Sequence, residues 1–213
     1  MATVAVYGLT AVPVARRLHV TRPARSRPLL VGGDPWVIDL GHTLHSAGLD
    51  VLMWAGSAGQ RDLITQAGLE LAPGELLASA TSEGAELEGI TAVLLLTDED
   101  DFNTLAATVL AGNPETRVYR LAPRDPTDGV VAPYSGGDTV FAPDLTRHDL
   151  ATRHGSGAQI TMQPANGGIP PGTDLLFLIT SEGALHPATT SRPTTPQPGD
   201  TLILLDPRRA GVK

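Results

Sequence analysis

Across residues 28–121, short apolar runs alternate with amphipathic stretches, and that alternation sets the fold expectation. Pro28-Leu29-Leu30-Val31 is an apolar strand. After it, Val37, Leu40, Leu44 and Ala47 recur at helical spacing, with Asp34 as N-cap, Pro35 early in the helix and Gly48 as its stop. A second strand covers 49–54. Ser57 then caps a helix running to Ala67, and Gly68 ends it. A short third strand at 69–72 meets the turn Pro73-Gly74-Glu75, and a helical stretch follows to about Glu88. The run 90–96 is the most apolar in the chain, as expected for a strand buried on both faces of a parallel sheet. Asp98-Glu99-Asp100-Asp101 opens a helix over 102–111, and 117–121 is a fifth strand. Strands alternating with helices of about ten residues imply right-handed β-α-β crossovers.

After Leu121 the pattern changes. Pro and Gly punctuate a linker over 122–142, and 144–154 reads as one more helix. Residues 175–179 and 201–205 read as strands, with Ser181-Glu182-Gly183 turning into Ala184-Leu185-His186. Residues 187–200 form a Pro/Thr-rich loop. The expectation is an α/β chain: a Rossmann-like, doubly wound parallel sheet at 28–121, a linker at 122–142 and a small C-terminal β-rich subdomain at 143–213.

Composition sharpens this picture. The 213 residues are 41% hydrophobic, enough for one α/β domain and a small second unit. Cysteine is absent, which excludes disulfides and thiolate metal sites. The net charge of −8 is uneven: Arg16, Arg17, Arg22, Arg25 and Arg27 stand in an acid-free leader, and the remaining chain is strongly acidic. An acidic body repels phosphates, so no nucleic-acid partner is expected. The apolar run 2–14 is too short to span a bilayer, and its arginines follow it, opposite to a signal peptide. Residues 1–27 therefore read either as the inner end of a transmembrane helix with a basic juxtamembrane linker, or as an amphipathic helix packed on the domain.

The candidate chemistry is sparse. The turn after the first strand, Leu30-Val31-Gly32-Gly33-Asp34-Pro35-Trp36-Val37, lies where a dinucleotide site carries G-x-G-x-x-G. Only Gly32 fits: Asp34 replaces the glycine that admits a pyrophosphate, and Val37 the glycine that lets helix and strand pack closely. Trp36 either stacks on a base or packs over the helix start. The acids at 98–101 either hold a divalent cation or sit where a helix dipole favours anions, and no metal site is assigned. His42 with His45, and His148 with His154, read as solvated helical faces. No G-x-S-x-G, H-E-x-x-H, P-loop or paired general acid and base appears, so no catalytic residue is assigned.

The segment Thr3-Val4-Ala5-Val6-Tyr7-Gly8-Leu9-Thr10-Ala11-Val12-Pro13-Val14-Ala15-Arg16-Arg17-Leu18 resembles the end of the last transmembrane helix of NhaP-type bacterial sodium/proton antiporters. The rest resembles the cytosolic TrkA-N (RCK or KTN-type) domain attached to a subset of them. The matching residues are Gly32-Gly33-Asp34-Pro35-Trp36, Leu87-Glu88-Gly89-Ile90, Val118-Tyr119-Arg120-Leu121 and the run from Leu95 through Asp98-Glu99-Asp100-Asp101 to Asn103. The ending Pro198-Gly199-Asp200-Thr201-Leu202 to Leu205 is similar to the strand that closes the small C-terminal unit of such proteins.

The resemblance implies a regulatory domain that dimerises, works with a transmembrane antiporter domain of the same polypeptide and lies on the cytoplasmic face of the bacterial inner membrane. It implies a nucleotide-type crevice at the carboxyl edge of the sheet. Residues placed there are Gly32, Gly33, Asp34, Pro35 and Trp36 after the first strand, Ala55 and Gly56 after the second, and Gly74 after the third. Thr97, Asp98, Asp100 and Asn103 follow the fourth. Two departures argue against NAD: the broken glycine loop, and Trp54-Ala55-Gly56 where an acid would hold a ribose hydroxyl. A smaller or differently posed ligand, a pure dimerisation module, and a stand-alone nucleotide-dependent oxidoreductase are the competing readings.

Overall fold

A computed structural model describes residues 26–74, 76, 89–111, 116–122, 137–142, 145–189 and 195–207. The leader 1–25, nearly all of the expected helix before Glu88, most of the linker, and the centre of the Pro/Thr-rich loop lie outside these residues.

Six parallel strands form the main sheet: β1 (Pro28–Val31), β2 (Leu52–Trp54), β3 (Glu70–Leu71), β4 (Ala92–Leu95), β5 (Arg117–Arg120) and β6 (Asp138–Thr139). Their order is β3-β2-β1-β4-β5-β6. This is the Rossmann order, and the chain reverses direction across the sheet between β1 and β4. β1 and β4 are buried along their whole length, with Leu29 beside Val93 and Val31 beside Leu95. Continuous apolar runs produce this because both faces of the sheet are covered.

Side chains alternate between those faces. Leu30, Met53, Leu94 and Tyr119 point into a core shared with α1 (Pro35–Ser46) and α2 (Ala58–Gln66). Leu29, Leu52, Val93 and Val118 point the other way, toward α3 (Asp100–Leu110) through Ala106, Ala107 and Leu110. The close helix–sheet approach that a dinucleotide fingerprint assigns to its third glycine occurs one turn later. A Cβ on Gly41 would lie 2.9 Å from the Met53 sulfur.

Several elements follow from local chemistry. Ser57 caps α2, its hydroxyl accepting from the Gln60 N–H. α4 (Arg147–Gly155) starts with a capping box in which the Thr146 and Asp149 side chains each bond the other's backbone N–H. Asp34 occupies the N-cap position of α1 but makes no side-chain cap bond, which corrects the sequence expectation.

The second sheet is antiparallel, in the order β7-β10-β8-β9. It comprises β7 (Gln159–Pro164), β8 (Asp174–Ile179), β9 (Leu185–Pro187) and β10 (Thr201–Asp206). β10 is the central strand, hydrogen-bonded to β7 on one side and β8 on the other. The fold is thus a Rossmann-like α/β sheet with a small β-rich unit.

Strand β7 was not legible in the sequence, where its polar positions alternate weakly. The stretch read as linker also ends in structure: β6 extends the parallel sheet, and Val140 and Phe141 are buried. Phe141 adopts φ 68°, a left-handed conformation rare for an aromatic residue. Its N–H bonds the Ala188 carbonyl, and its ring meets Phe177 edge-on at 5.4 Å. Phe141 is the corner at which the chain passes from one sheet to the other. Helix α1 packs against both β7 and α4, and one continuous apolar core runs from Leu30 and Trp36 to Phe177 and Ile203.

Ser26 and Arg27 are part of this body. The Ser26 hydroxyl accepts from the Leu185 N–H, and its own N–H reaches the Gly183 carbonyl. Arg27 pairs with Asp50 at 2.9 Å and Glu70 at 3.5 Å. Arg27, the last arginine of the basic leader, therefore belongs to the folded domain. Among the described residues no helix is long and apolar enough to cross a membrane.

Candidate functional site

A cleft of about 420 Å³ opens at the carboxyl edge of β1, β2 and β4, at the point where strand order reverses. Ligands of open α/β sheets bind at such switch points, and the volume suits a small molecule. Its floor is the turn after β1. The Gly32 N–H donates to the Trp54 carbonyl at 2.8 Å, and the Leu96 N–H to the Val31 carbonyl at 2.8 Å, so the three strand ends are laced together. Gly32 has φ 151°, and a Cβ there would sit 3.1 Å from the Leu96 oxygen. Its glycine is required by this crossing of backbones, whatever the ligand.

The next two positions are built against a pyrophosphate. The Gln60 side chain lies across Gly33: a Cβ on Gly33 would be 2.5 Å from the Gln60 Cβ. Ser57 holds that glutamine, its hydroxyl donating to the Gln60 side-chain oxygen at 3.1 Å. Asp34 brings a carboxylate where a phosphate would need free backbone N–H groups, and α1 offers little else. Its Val37 and Ile38 N–H groups both turn back to the Asp34 carbonyl.

Asp34 is engaged over a long distance in sequence. Arg147, the first residue of α4, places its guanidinium 2.5 Å from Asp34 and 3.7 Å from Asp98. One side chain from outside the parallel sheet thus bridges the turn after β1 and the turn after β4. Two further pairs fasten α4: His154 lies 3.2 Å from Asp39, and Arg153 lies 2.6 Å from Asp174. His154 is accordingly a partner of α1, not a solvated histidine, while His42, His45 and His148 are exposed.

The turn after β4 is held locally. Asn103 is buried; its amide donates to the Thr97 carbonyl at 3.0 Å, and the Thr97 hydroxyl donates to the Asn103 side-chain oxygen at 2.8 Å. This leaves Asp98 and Glu99 exposed at the rim. The cleft's remaining wall is aromatic. Trp54, at the end of β2, stacks on Phe102 with ring centroids 5.8 Å apart and planes 11° from parallel. The Trp54 indole N–H donates to the Gly74 carbonyl at 3.2 Å.

The structure brings six of the sequence-derived candidates together on the cleft: Gly32, Gly33, Asp34, Gly56, Thr97 and Asp98. It places the other six elsewhere. Pro35 is exposed on the first turn of α1, and Trp36 is only 1% exposed, inside the core. Ala55 is buried beneath the loop, and Gly74 holds the Trp54 indole from outside. Asp100 is exposed in the first turn of α3, and Asn103 acts through Thr97. Sequence reasoning missed five lining residues: Trp54, Ser57, Gln60, Glu99 and Phe102. Trp54 stands at the end of β2, where a dinucleotide site carries its ribose-binding acid, and an aromatic there is a legible signal. The role of Gln60 depends on how α2 lies over the loop, which no local pattern reports.

The lining holds three carboxylates (Asp34, Asp98 and Glu99) and no basic side chain. Arg147 offsets part of this charge from behind Asp34. Among the described residues, no three histidine or acidic side chains converge closely enough to hold a metal ion.

No family model and no curated protein matches the chain. Among solved structures it is similar to the NAD(P)-binding domain of an exopolyphosphatase-related protein from Archaeoglobus fulgidus. That match has 22% identity and a TM-score of 0.41, over 48% of this chain and 76% of that one. It is also similar to glycerol-3-phosphate dehydrogenase from Coxiella burnetii, with 16% identity and a TM-score of 0.36, over 67% of this chain and 42% of the other. Likenesses this distant add nothing to the site, and the fold assignment stands on the strand order itself.

Proposed function

We propose that this chain is a non-catalytic regulatory domain of a monovalent cation/proton antiporter. In this reading it works as a homodimer on the cytoplasmic face of the membrane, and it senses a small molecule in the switch-point crevice. The observation that supports it is the Arg147 bridge. Asp34 belongs to the turn after β1 and Asp98 to the turn after β4, and the side chain joining them belongs to α4, outside the parallel sheet. A ligand that draws on either carboxylate competes with that tie, so occupancy of the crevice changes how firmly the second unit is held. A ligand regulates through such a difference in contacts between two states. The transporter context comes from the sequence resemblance. A stand-alone oxidoreductase needs a loop open to phosphates, and here Asp34 and Gln60 occupy that loop.

The direct test is ion transport by the intact antiporter polypeptide carrying this domain, in everted membrane vesicles, with Asp34→Asn or Arg147→Gln. Both substitutions break the same tie and are expected to shift antiport activity in the same direction by several-fold. Wild-type transport in both variants overturns the reading. Two solution measurements accompany it. Calorimetric titration with NAD(H) is expected to give a dissociation constant weaker than about 10 μM, roughly −7 kcal/mol. Light scattering is expected to give a dimer of the 22.2 kDa chain, and a monomer at high protein concentration counts against the self-association.

A further inference from the structure

We infer that the crevice takes a planar ring bearing a positive charge and carrying no phosphate. The inference rests on the reading of the crevice as a ligand site and adds the ligand's chemical class. Three independent features of the cleft agree on it.

The first is the aromatic wall. Trp54 and Phe102 are both half-buried and stack in an offset pair. A flat ring inserted between them would need two contacts of about 3.5 Å, more than the 5.8 Å between centroids allows. A ligand ring therefore lies on the outer face of the pair, where aromatic faces also attract cations. The second is charge. Every ionisable lining residue is a carboxylate, and two of the three, Asp34 and Asp98, lie within reach of a single Arg147 nitrogen. A phosphate would meet a lining that is negative at Asp34, Asp98 and Glu99 and only partly offset by Arg147, with Gln60 lying over the adjacent loop. The third is Arg147. A guanidinium, itself a flat cation, already sits between Asp34 and Asp98. The molecule thus holds, from its own α4, a group of the class that the carboxylates accept. A soluble cation with a ring reaching Trp54 would replace that group and gain the stacking face that Arg147 lacks.

The test uses this chain and two probes that share one ring and differ in charge: tryptamine, cationic, and indole-3-acetate, anionic. Binding is followed by calorimetry and by the amide and indole N–H resonances of isotope-labelled protein. The Trp54 indole N–H, bonded to Gly74, should move on titration, while the buried Trp36 indole serves as an internal control. Tryptamine is expected to bind at least tenfold more tightly than indole-3-acetate. Asp98→Asn should erase most of that difference, Trp54→Leu should weaken tryptamine several-fold, and Arg147→Gln should tighten it several-fold by removing the internal competitor. Unchanged melting temperatures and dispersed spectra identify the folded variants, and the Asp98 and Arg147 substitutions lie on exposed or half-exposed side chains that folding tolerates.

Equal affinity for the two probes, or tryptamine binding indifferent to both Asp98→Asn and Trp54→Leu, overturns the inference. Tight NADH binding that shifts the Trp54 indole overturns the ligand class while leaving a sensing crevice in place. If neither probe binds the Arg147→Gln protein at millimolar concentration, the inference fails. The vesicle experiment then decides separately whether the Arg147 tie regulates transport.

Discussion

The turns after β1 and β4 line one crevice and are held in opposite ways. The β4 turn is closed from within: Thr97 and Asn103 are six residues apart and satisfy each other through two hydrogen bonds, with Asn103 buried. The β1 turn is closed from outside: its Asp34 carboxylate is bonded to Arg147, 113 positions further along the chain and half-exposed. A local, buried device contributes stability and stays closed while the domain is folded. A distant, partly solvated ion pair contributes little to stability and can be exchanged for another cation. The β4 turn is thus the fixed jaw of the crevice and the β1 turn the responsive one.

The sharpest way to break the comparison is to remove the fixed jaw. Asn103→Ala leaves the Thr97 carbonyl and hydroxyl without their buried partner and is expected to cost about 2–3 kcal/mol. In a domain of this size that lowers the melting temperature by roughly 6–10 °C. A loss under about 0.5 kcal/mol would mean that the Thr97–Asn103 pair is incidental. Next in size is Gly32→Ala, which forces a side chain into a φ of 151° beside the Leu96 carbonyl. We expect a loss of about 2 kcal/mol in chemical denaturation, within the usual cost of a backbone held in a sparsely populated region.

Thr146→Ala removes the capping box that positions the start of α4, and so Arg147. The expected loss is about 1 kcal/mol near neutral pH. Its pH dependence has a defined sign. The Thr146 hydroxyl bond is the main reason the Asp149 carboxyl sits below its ordinary value; burial opposes this, and His148 adds a smaller favourable pull. A carboxyl depressed in the folded state contributes fully above its unfolded value of about 3.9, and the contribution is lost as pH falls through the folded value. The stability gap between wild type and Thr146→Ala should therefore hold from neutral pH down to about 4 and narrow below it. Thermal melts across that range decide the matter, and a gap that widens in acid would contradict the assignment.

The smallest expected effect is on the responsive jaw. Arg147→Gln should cost at most about 1 kcal/mol at low salt, and less at 1 M salt, where screening weakens what the exposed charges contribute. A loss as large as that of Asn103→Ala would erase the distinction between the two turns, because it would make Arg147 a structural residue.

Much of the fold was legible along the chain. Strand β1 and helices α1, α2 and α4 lie within a few residues of where apolar spacing, Pro35, Ser57, Gly48 and Gly68 put them. The order of elements gave the doubly wound class. These signals are local: helical periodicity, a cap and a positive-φ glycine each act within a turn of the chain. β7 and β6 escaped, since their strand character comes from partners, β10 and β5, that lie far away in sequence.

For the crevice, the sequence by itself determined that Gly32 ends β1 and that a pyrophosphate loop is broken at Asp34, because both follow from residue type at a fixed distance from a strand. Only the tertiary structure decided what replaces that loop. Strand order brings Trp54 and Phe102 into one stack, the placement of α2 lays Gln60 over Gly33, and the packing of α4 on α1 delivers Arg147 to Asp34. Each is a contact between elements whose relative placement is set by how apolar faces bury against one another. Burial is non-directional, so the pattern along the chain states which faces must be covered and leaves open which polar side chains the covering brings together.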